Sequence, residues 1–174
     1  RGHLADLLWA DIGEQQARQN LRYVLYELRK LLGDYLVITR DTLTFAQQQR
    51  PCWVDANVFT AHLAQETTVA DPVLLQTVLQ LYQGEFLNGF SIQNAPGFEE
   101  WLLQQRQQFQ QQAIRGLLRL SEQSLLCGDY TGGLMTTARL LQLAPWQEEA
   151  HRYQMRFLAY AGQRLDALAQ YATC

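Results

Sequence analysis

Cysteine is scarce and poorly placed for chemistry in this chain. Cys52, Cys127 and Cys174 stand far apart with no C-x-x-C pair, which argues against a disulfide framework and against a zinc site, so they read as buried or incidental thiols. His3, His62 and His151 are as scattered, none at ligand spacing from a Cys or a paired carboxylate, and no metal is expected. No apolar run approaches the roughly 18 to 20 residues that span a bilayer. The opening Arg1-Gly2-His3-Leu4 lacks the charged-then-apolar order of a signal peptide. A cytoplasmic location with no membrane partner is therefore expected. Neither G-x-x-x-x-G-K-[ST] nor G-x-G-x-x-G occurs, so no nucleotide cofactor is expected. The adjacent carboxylates Glu99-Glu100 and Glu148-Glu149 read as first-turn residues favoured by a helix dipole rather than as acid–base pairs. No enzyme is expected. An initiating Met is also missing, and both ends fall inside amphipathic segments (Leu4, Leu7, Leu8 and Trp9; then 165–171), so a fragment of a larger protein is expected.

What is present is a hydrophobic content of 48% over 174 residues, enough for one moderate core or two small ones. The net charge of -3 divides unevenly. Residues 1–50 carry seven Arg or Lys against six Asp or Glu (+1), and residues 51–174 carry seven against eleven (-4). Within 15–32, Arg18, Arg22, Arg29 and Lys30 are opposed only by Glu27, a local +3.

Periodicity predicts a short helix over 4–9, a turn at Ala10-Asp11-Ile12-Gly13, and a second helix over 14–32. Gly33 is expected to stop that helix in a left-handed conformation. Leu36-Val37-Ile38-Thr39 and Leu43-Thr44-Phe45 read as two strands around the turn Arg40-Asp41-Thr42. Gln47-Gln48-Gln49-Arg50-Pro51 breaks all periodicity and marks a boundary. Helices are then expected over 55–65, 73–82, 98–127 with a break, 131–143 and 148–161. Near the end Cys127-Gly128-Asp129-Tyr130 and Ala161-Gly162-Gln163-Arg164 align 34 residues apart, the tetratricopeptide period. Pro145 and the small pair Gly133 and Ala167 fall in the same register. Among the aromatics, Trp101, Phe109, Trp146, Tyr153, Phe157 and Tyr160 read mainly as core, with a peptide groove as the other reading.

On a helical wheel Leu21, Val24, Leu25, Leu28, Leu31 and Leu32 form one apolar stripe of the second helix. Arg18, Gln19, Arg22, Tyr23, Tyr26, Arg29 and Lys30 occupy the other side. Arg and Lys neutralise phosphates or reach guanine acceptors, Gln bridges an adenine edge, and Tyr bonds phosphate through its hydroxyl. Helix, turn, basic helix and hairpin is the order of a winged helix, with Arg40 at the wing tip facing a flanking phosphate or the minor groove. An ordinary solvated helix face is the bland alternative.

The runs Leu7-Leu8-Trp9, Ala17-Arg18-Gln19-Asn20-Leu21-Arg22, Leu28-Arg29-Lys30-Leu31-Leu32-Gly33-Asp34 and Leu36-Val37-Ile38-Thr39-Arg40 resemble the DNA-binding domain of the bacterial antibiotic-regulatory-protein activators. That domain is a relative of the winged helix of response regulators. The resemblance implies DNA-contacting roles for Arg18, Arg22, Arg29 and Lys30, and it implies that the strands and helix that open such a domain lie before Arg1. Tyr26-Glu27 stand where that family has Ser-Arg. Further on, Val54-Asp55-Ala56-Asn57-Val58-Phe59, Leu81-Tyr82-Gln83-Gly84-Glu85-Phe86-Leu87-Asn88-Gly89-Phe90, and Phe98-Glu99-Glu100-Trp101-Leu102 through Arg106 resemble the bacterial transcriptional activator domain, which implies partner contact or dimerisation. The expected molecule is thus mostly α: a partial winged-helix domain over 1–47 with a short β-hairpin wing, a linker over 48–54, and a tetratricopeptide-like helical domain over 55–174, truncated at its end. The expected function is DNA-binding transcription activation, with double-stranded DNA and a protein partner, RNA polymerase among the candidates, or a second copy. The alternative is an interaction scaffold whose winged helix is structural and binds no DNA.

Overall fold

Short apolar repeats separated by Gly and Pro become helices throughout most of the computed structural model, which describes residues 1–46, 51–64 and 71–173. The protein is mostly α, 71% helical. Among the described residues it has eight α-helices and one two-stranded hairpin: α1 (Gly2–Leu8), α2 (Glu14–Leu32), β1 (Leu36–Ile38), β2 (Leu43–Phe45), α3 (Asp55–Leu63), α4 (Pro72–Leu79), α5 (Pro96–Cys127), α6 (Tyr130–Leu143), α7 (Glu148–Tyr160) and α8 (Arg164–Thr173). Residues 47–50 of the Gln-rich boundary, Gln65 at the end of an expected helix, and Cys174 lie outside the described residues. The chain divides into two compact units, one drawn from Arg1–Val54 with Phe86–Arg106, the other from Asp55–Glu85 with Gln107–Cys174.

In the first unit α1 and α2 close on a small core of Ala5, Ala17, Leu21 and Leu25, with Leu4, Trp9 and Leu28 packed against it. The hairpin adds Ile38 and Leu43, which pair across the antiparallel ladder. Gly33 ends α2 at φ 50°, ψ -123°. The φ is positive as expected, but this ψ lies outside the left-handed helical well, in a region that essentially only glycine visits. A second cluster joins Leu7 and Leu8 of α1 to Ala95, Phe98 and Leu102. There the backbone of Gly97 comes so close to Leu7 that an added Cβ would sit 3.1 Å from its carbonyl oxygen.

The wheel's apolar stripe is wider than the surface that becomes buried. Leu21 and Leu25 are 4% and 3% exposed and Leu28 is half-buried, whereas Val24 is 36%, Leu32 38% and Leu31 81% exposed. A wheel records side-chain chemistry but not the supply of neighbours. The cluster formed with α1 and the hairpin takes in Ala17, Leu21, Leu25 and Leu28 of α2 and leaves the flank of Val24 and Leu31 open.

In the second unit the core gathers Phe59, Leu75, Val78, Leu79, Leu117 and Leu140. Phe59 lies against Tyr82 and Phe109, with ring centroids 5.8 and 5.9 Å away. Asp71 caps α4 by accepting from the Val73 N–H at 3.0 Å, with Pro72 in the first turn. That helix stops at Leu79 rather than Tyr82. The Arg139 guanidinium from α6 donates to the carbonyl of Leu79 (2.9 Å), which also accepts from the Tyr82 N–H (3.2 Å), and to that of Tyr82, tying down the backbone just past the helix end. The expected break within 98–127 is absent, and α5 runs 32 residues without interruption. Its Gln-rich stretch is made of good helix formers, and its one interior glycine beyond the first turn, Gly116, is spared a clash: an added Cβ would lie 2.7 Å from a Leu79 methyl.

The two glycines of the 34-residue spacing behave alike. Gly128 and Gly162, 34 residues apart, have φ of 74° and 79°. Gly133 lets α6 approach α7 until only a hydrogen fits beside the Phe157 ring. The aromatics divide, correcting the core reading for two of them: Phe157 is buried, Trp101, Phe109 and Tyr153 are half-buried, but Trp146 and Tyr160 are exposed. Cys52 and Cys127 are free and exposed, so the buried reading fails for both.

Candidate nucleic-acid interface

Every residue singled out on the basic helix is at the surface: Arg18, Gln19, Arg22, Tyr23, Tyr26, Arg29 and Lys30 on α2, and Arg40 on the hairpin turn. Helix geometry explains this, since buried positions 17, 21 and 25 and half-buried 28 recur at steps of three and four and turn the rest outward. The turn carrying Arg40 is closed by Thr39, whose N–H donates to the Thr42 carbonyl at 3.0 Å and whose hydroxyl accepts from the Thr42 and Asp41 N–H groups at 3.0 and 3.3 Å. Arg40 is thereby held at the tip of a short, internally bonded turn.

Arg18, Arg22 and Arg40 meet at an open cleft of about 540 Å³, lined also by Arg1, Gly2, Leu21 and Asp41. Arg1 was not among the expected residues. Its guanidinium donates to the Thr39 carbonyl at 2.9 Å, a contact between residues 38 positions apart that no local spacing announces. Gln19 and Tyr23 line a separate groove of about 420 Å³ with Trp9, Gln16, Asn20 and Val24. The α2 surface therefore presents a cationic side and an amide–aromatic side.

The cations are not equally available. Arg18 is ion-paired with Glu14 one turn earlier. Lys30 donates to a Glu27 carboxylate oxygen at 2.8 Å, and its ammonium sits 4.1 Å from the centroid of the Tyr26 ring. Among the described residues Arg22, Arg29 and Arg40 have no ion pair. Both pairings are legible in the sequence, because i, i+4 and i, i+3 positions are neighbours on a helix. A net charge alone does not reveal them.

The segment beyond α2 and the hairpin has its own organisation. Arg106 donates from Nε to the Phe86 carbonyl (2.9 Å) and from Nη2 to the Leu87 carbonyl (3.0 Å). Leu87 sits at φ 49°, an uncommon conformation for a branched side chain, and these two bonds fix the backbone around it. Phe86 stands edge-on to Trp101, which leans on Phe98. Glu99 accepts from the Ile92 N–H at 3.0 Å. Residues 54–174 match the family model described as Bacterial transcriptional activator domain. The chain belongs to that family. It is a family of transcriptional regulation, and a regulatory rather than an enzymatic one. No curated protein and no solved structure matches the chain. Within the bacterial transcriptional activator domain, Phe86, Leu87, Trp101 and Arg106 thus hold a turn and an aromatic cluster together. His151 is likewise structural: its Nε2–H donates to the Pro145 carbonyl at 2.9 Å, and its Nδ1 accepts from the Gln170 amide at 2.6 Å. The matched residues begin after α2 and the hairpin. No helix among the described residues is long and apolar enough to cross a membrane.

Proposed function

We propose that this chain is a DNA-binding part of a bacterial transcription activator of the antibiotic-regulatory-protein kind. In this reading residues 1–47 are part of a winged helix of the response-regulator type, 48–54 link it onward, and 55–174 form a tetratricopeptide-like activator domain. The observation that carries the proposal is the cleft where Arg18 and Arg22 of α2 meet Arg40 of the hairpin turn. A recognition helix in the major groove and a wing at the adjacent minor groove straddle one stretch of phosphate backbone, and cations facing each other across such a gap neutralise it. Gln19 and Tyr23, on the other side of the same helix, are then available to base edges and flanking phosphates.

The helical part supplies contact with a partner or a second copy, and RNA polymerase is the natural partner for an activator. In support, α8 leaves Leu165, Leu168 and Tyr171 exposed at a spacing of three, a stripe suited to another helix. A cytoplasmic location follows from a function on chromosomal DNA.

Binding of the full-length protein, with its winged helix whole, to a random-sequence duplex pool tests the reading. Arg22→Ala and Arg29→Ala are each expected to weaken binding while leaving the melting temperature unchanged, since both side chains are exposed and unpaired. Equal binding by wild type and both variants would remove these residues from the interface. Absence of binding to any duplex at about 50 mM salt, where electrostatic contacts are strongest, would leave the scaffold reading, in which the helix-turn-helix is structural only.

A further inference from the structure

Two acids on α2 divide its positive charge into free and held groups. Of these, Glu27 has the more elaborate hold. Its carboxylate takes a hydrogen-bonded ion pair from Lys30 at 2.8 Å, one turn away, and Tyr26 on the neighbouring ridge places its ring 4.1 Å from the same ammonium. Lys30 is therefore engaged twice within its own helix, while Arg29 beside it and Arg22 two turns back are unpaired. Glu27 itself keeps 43% of its side-chain surface exposed, so it is in electrical contact with whatever α2 approaches.

We propose that Glu27 is a specificity-determining residue of the DNA-reading helix, acting as a charge brake on non-specific binding. The inference rests on the DNA-binding reading above. When a phosphate backbone approaches α2, Lys30 has two options. It stays with Glu27 and contributes no phosphate neutralisation, or it leaves for a phosphate and uncovers a carboxylate facing the polyanion. Either way the Glu27–Lys30 pair adds close to zero to the count of neutralised phosphates. That count governs sequence-independent affinity, with a log–log salt slope of about -0.9 per phosphate on duplex DNA. Contacts to base edges from an uncharged group such as Gln19 are not counted in this way. A pair that suppresses the electrostatic part while sparing direct readout raises the ratio of specific to non-specific binding. Glu14 does the same for Arg18, but Arg18 also lines the cleft with Arg22 and Arg40, so its release changes the cleft as well. Glu27 is the cleaner test.

The experiment uses the full-length protein and a random-sequence duplex pool, with wild type, Glu27→Gln and the double variant Glu27→Gln/Lys30→Gln. Glutamine is close in size to glutamate and a comparable helix former, and circular dichroism with thermal melting verifies that all three fold alike. Glu27→Gln is expected to steepen the salt slope by about 0.9 and to raise non-specific affinity on the order of tenfold at about 0.1 M salt. The double variant is expected to return to the wild-type slope, because the released charge is that of Lys30. If Glu27→Gln leaves the slope unchanged while wild type binds, the brake is refuted and the DNA-binding reading stands. If the double variant stays as steep as the single one, the gain does not come through Lys30 and the proposal is also overturned. If none of the three binds any duplex, the DNA-binding reading itself fails and takes this inference with it.

Discussion

Tyr82 links the packing of the helical unit to pH. Its ring stacks on Phe59, and burial pushes its phenol above the ordinary value; the nearby Glu85 carboxylate pushes the same way, while the Arg139 guanidinium opposes both. A free tyrosine ionises near pH 10. Below that pH the phenol is neutral in folded and unfolded chains alike, and its packing contribution is complete. As pH rises past about 10 the unfolded chain ionises first, so stability falls until the folded phenol ionises as well. Tyr82→Phe keeps the stacked ring and removes this titration. Its expected outcome is a smaller loss of melting temperature than wild type between about pH 9 and pH 11, measured by thermal melts across that range. Some loss is retained, because Tyr153 is raised too, by burial first and then by Glu122 and Glu149. An equal loss in wild type and variant would mean that Tyr82 is as solvated as in the unfolded chain. None of this was legible in the sequence, where Tyr82 is one letter of a family motif; the neighbours that shift it come from 57 positions away as well as from three.

At the scale of elements, α2 shows both the reach and the limit of periodicity. Its bounds, Glu14–Leu32, fall where the sequence placed them, as do the turn before it and the hairpin after it. Gly33 ended it as expected because a positive φ costs glycine nothing. Its buried stripe is narrower than its periodic apolar one, and substitutions on the same helix test the difference. Leu25→Ala removes a side chain that is 3% exposed among Ala5, Ala17 and Leu21, and is expected to cost about 2 to 5 kcal/mol. Leu31→Ala, on the open flank, is expected to stay within about 0.5 kcal/mol of wild type. Chemical denaturation of both variants checks the pair. Comparable destabilisation by both would show that something covers the flank of Val24 and Leu31. The break expected in 98–127 is absent from α5 because its glutamines favour helix and little in that stretch except Gly116 opposes one.

For the whole molecule, charge is the property that sequence conveys most directly and most deceptively. The overall -3 points away from nucleic acid, and the split into +1 and -4 points back toward it, but neither number says which cations are free. Five basic side chains of α2 and the hairpin turn belong to the candidate interface: Arg18, Arg22, Arg29, Lys30 and Arg40. If all five met phosphate, the log–log salt slope would approach -4.5 at about -0.9 per contact. With Arg18 held by Glu14 and Lys30 by Glu27, three remain, and the expected slope for wild type on a random-sequence duplex is about -2.7. Exposed intrahelical pairs contribute only about 0.3 to 0.5 kcal/mol each, so DNA can open them; the prediction is that opening gains nothing net, because each released cation leaves a carboxylate behind. Affinity measured by fluorescence anisotropy from about 50 to 200 mM salt decides the matter. A slope near -4.5 would show that the acids are carried away from the backbone on binding, and the partition of charge along α2 would then be a property of the free protein alone.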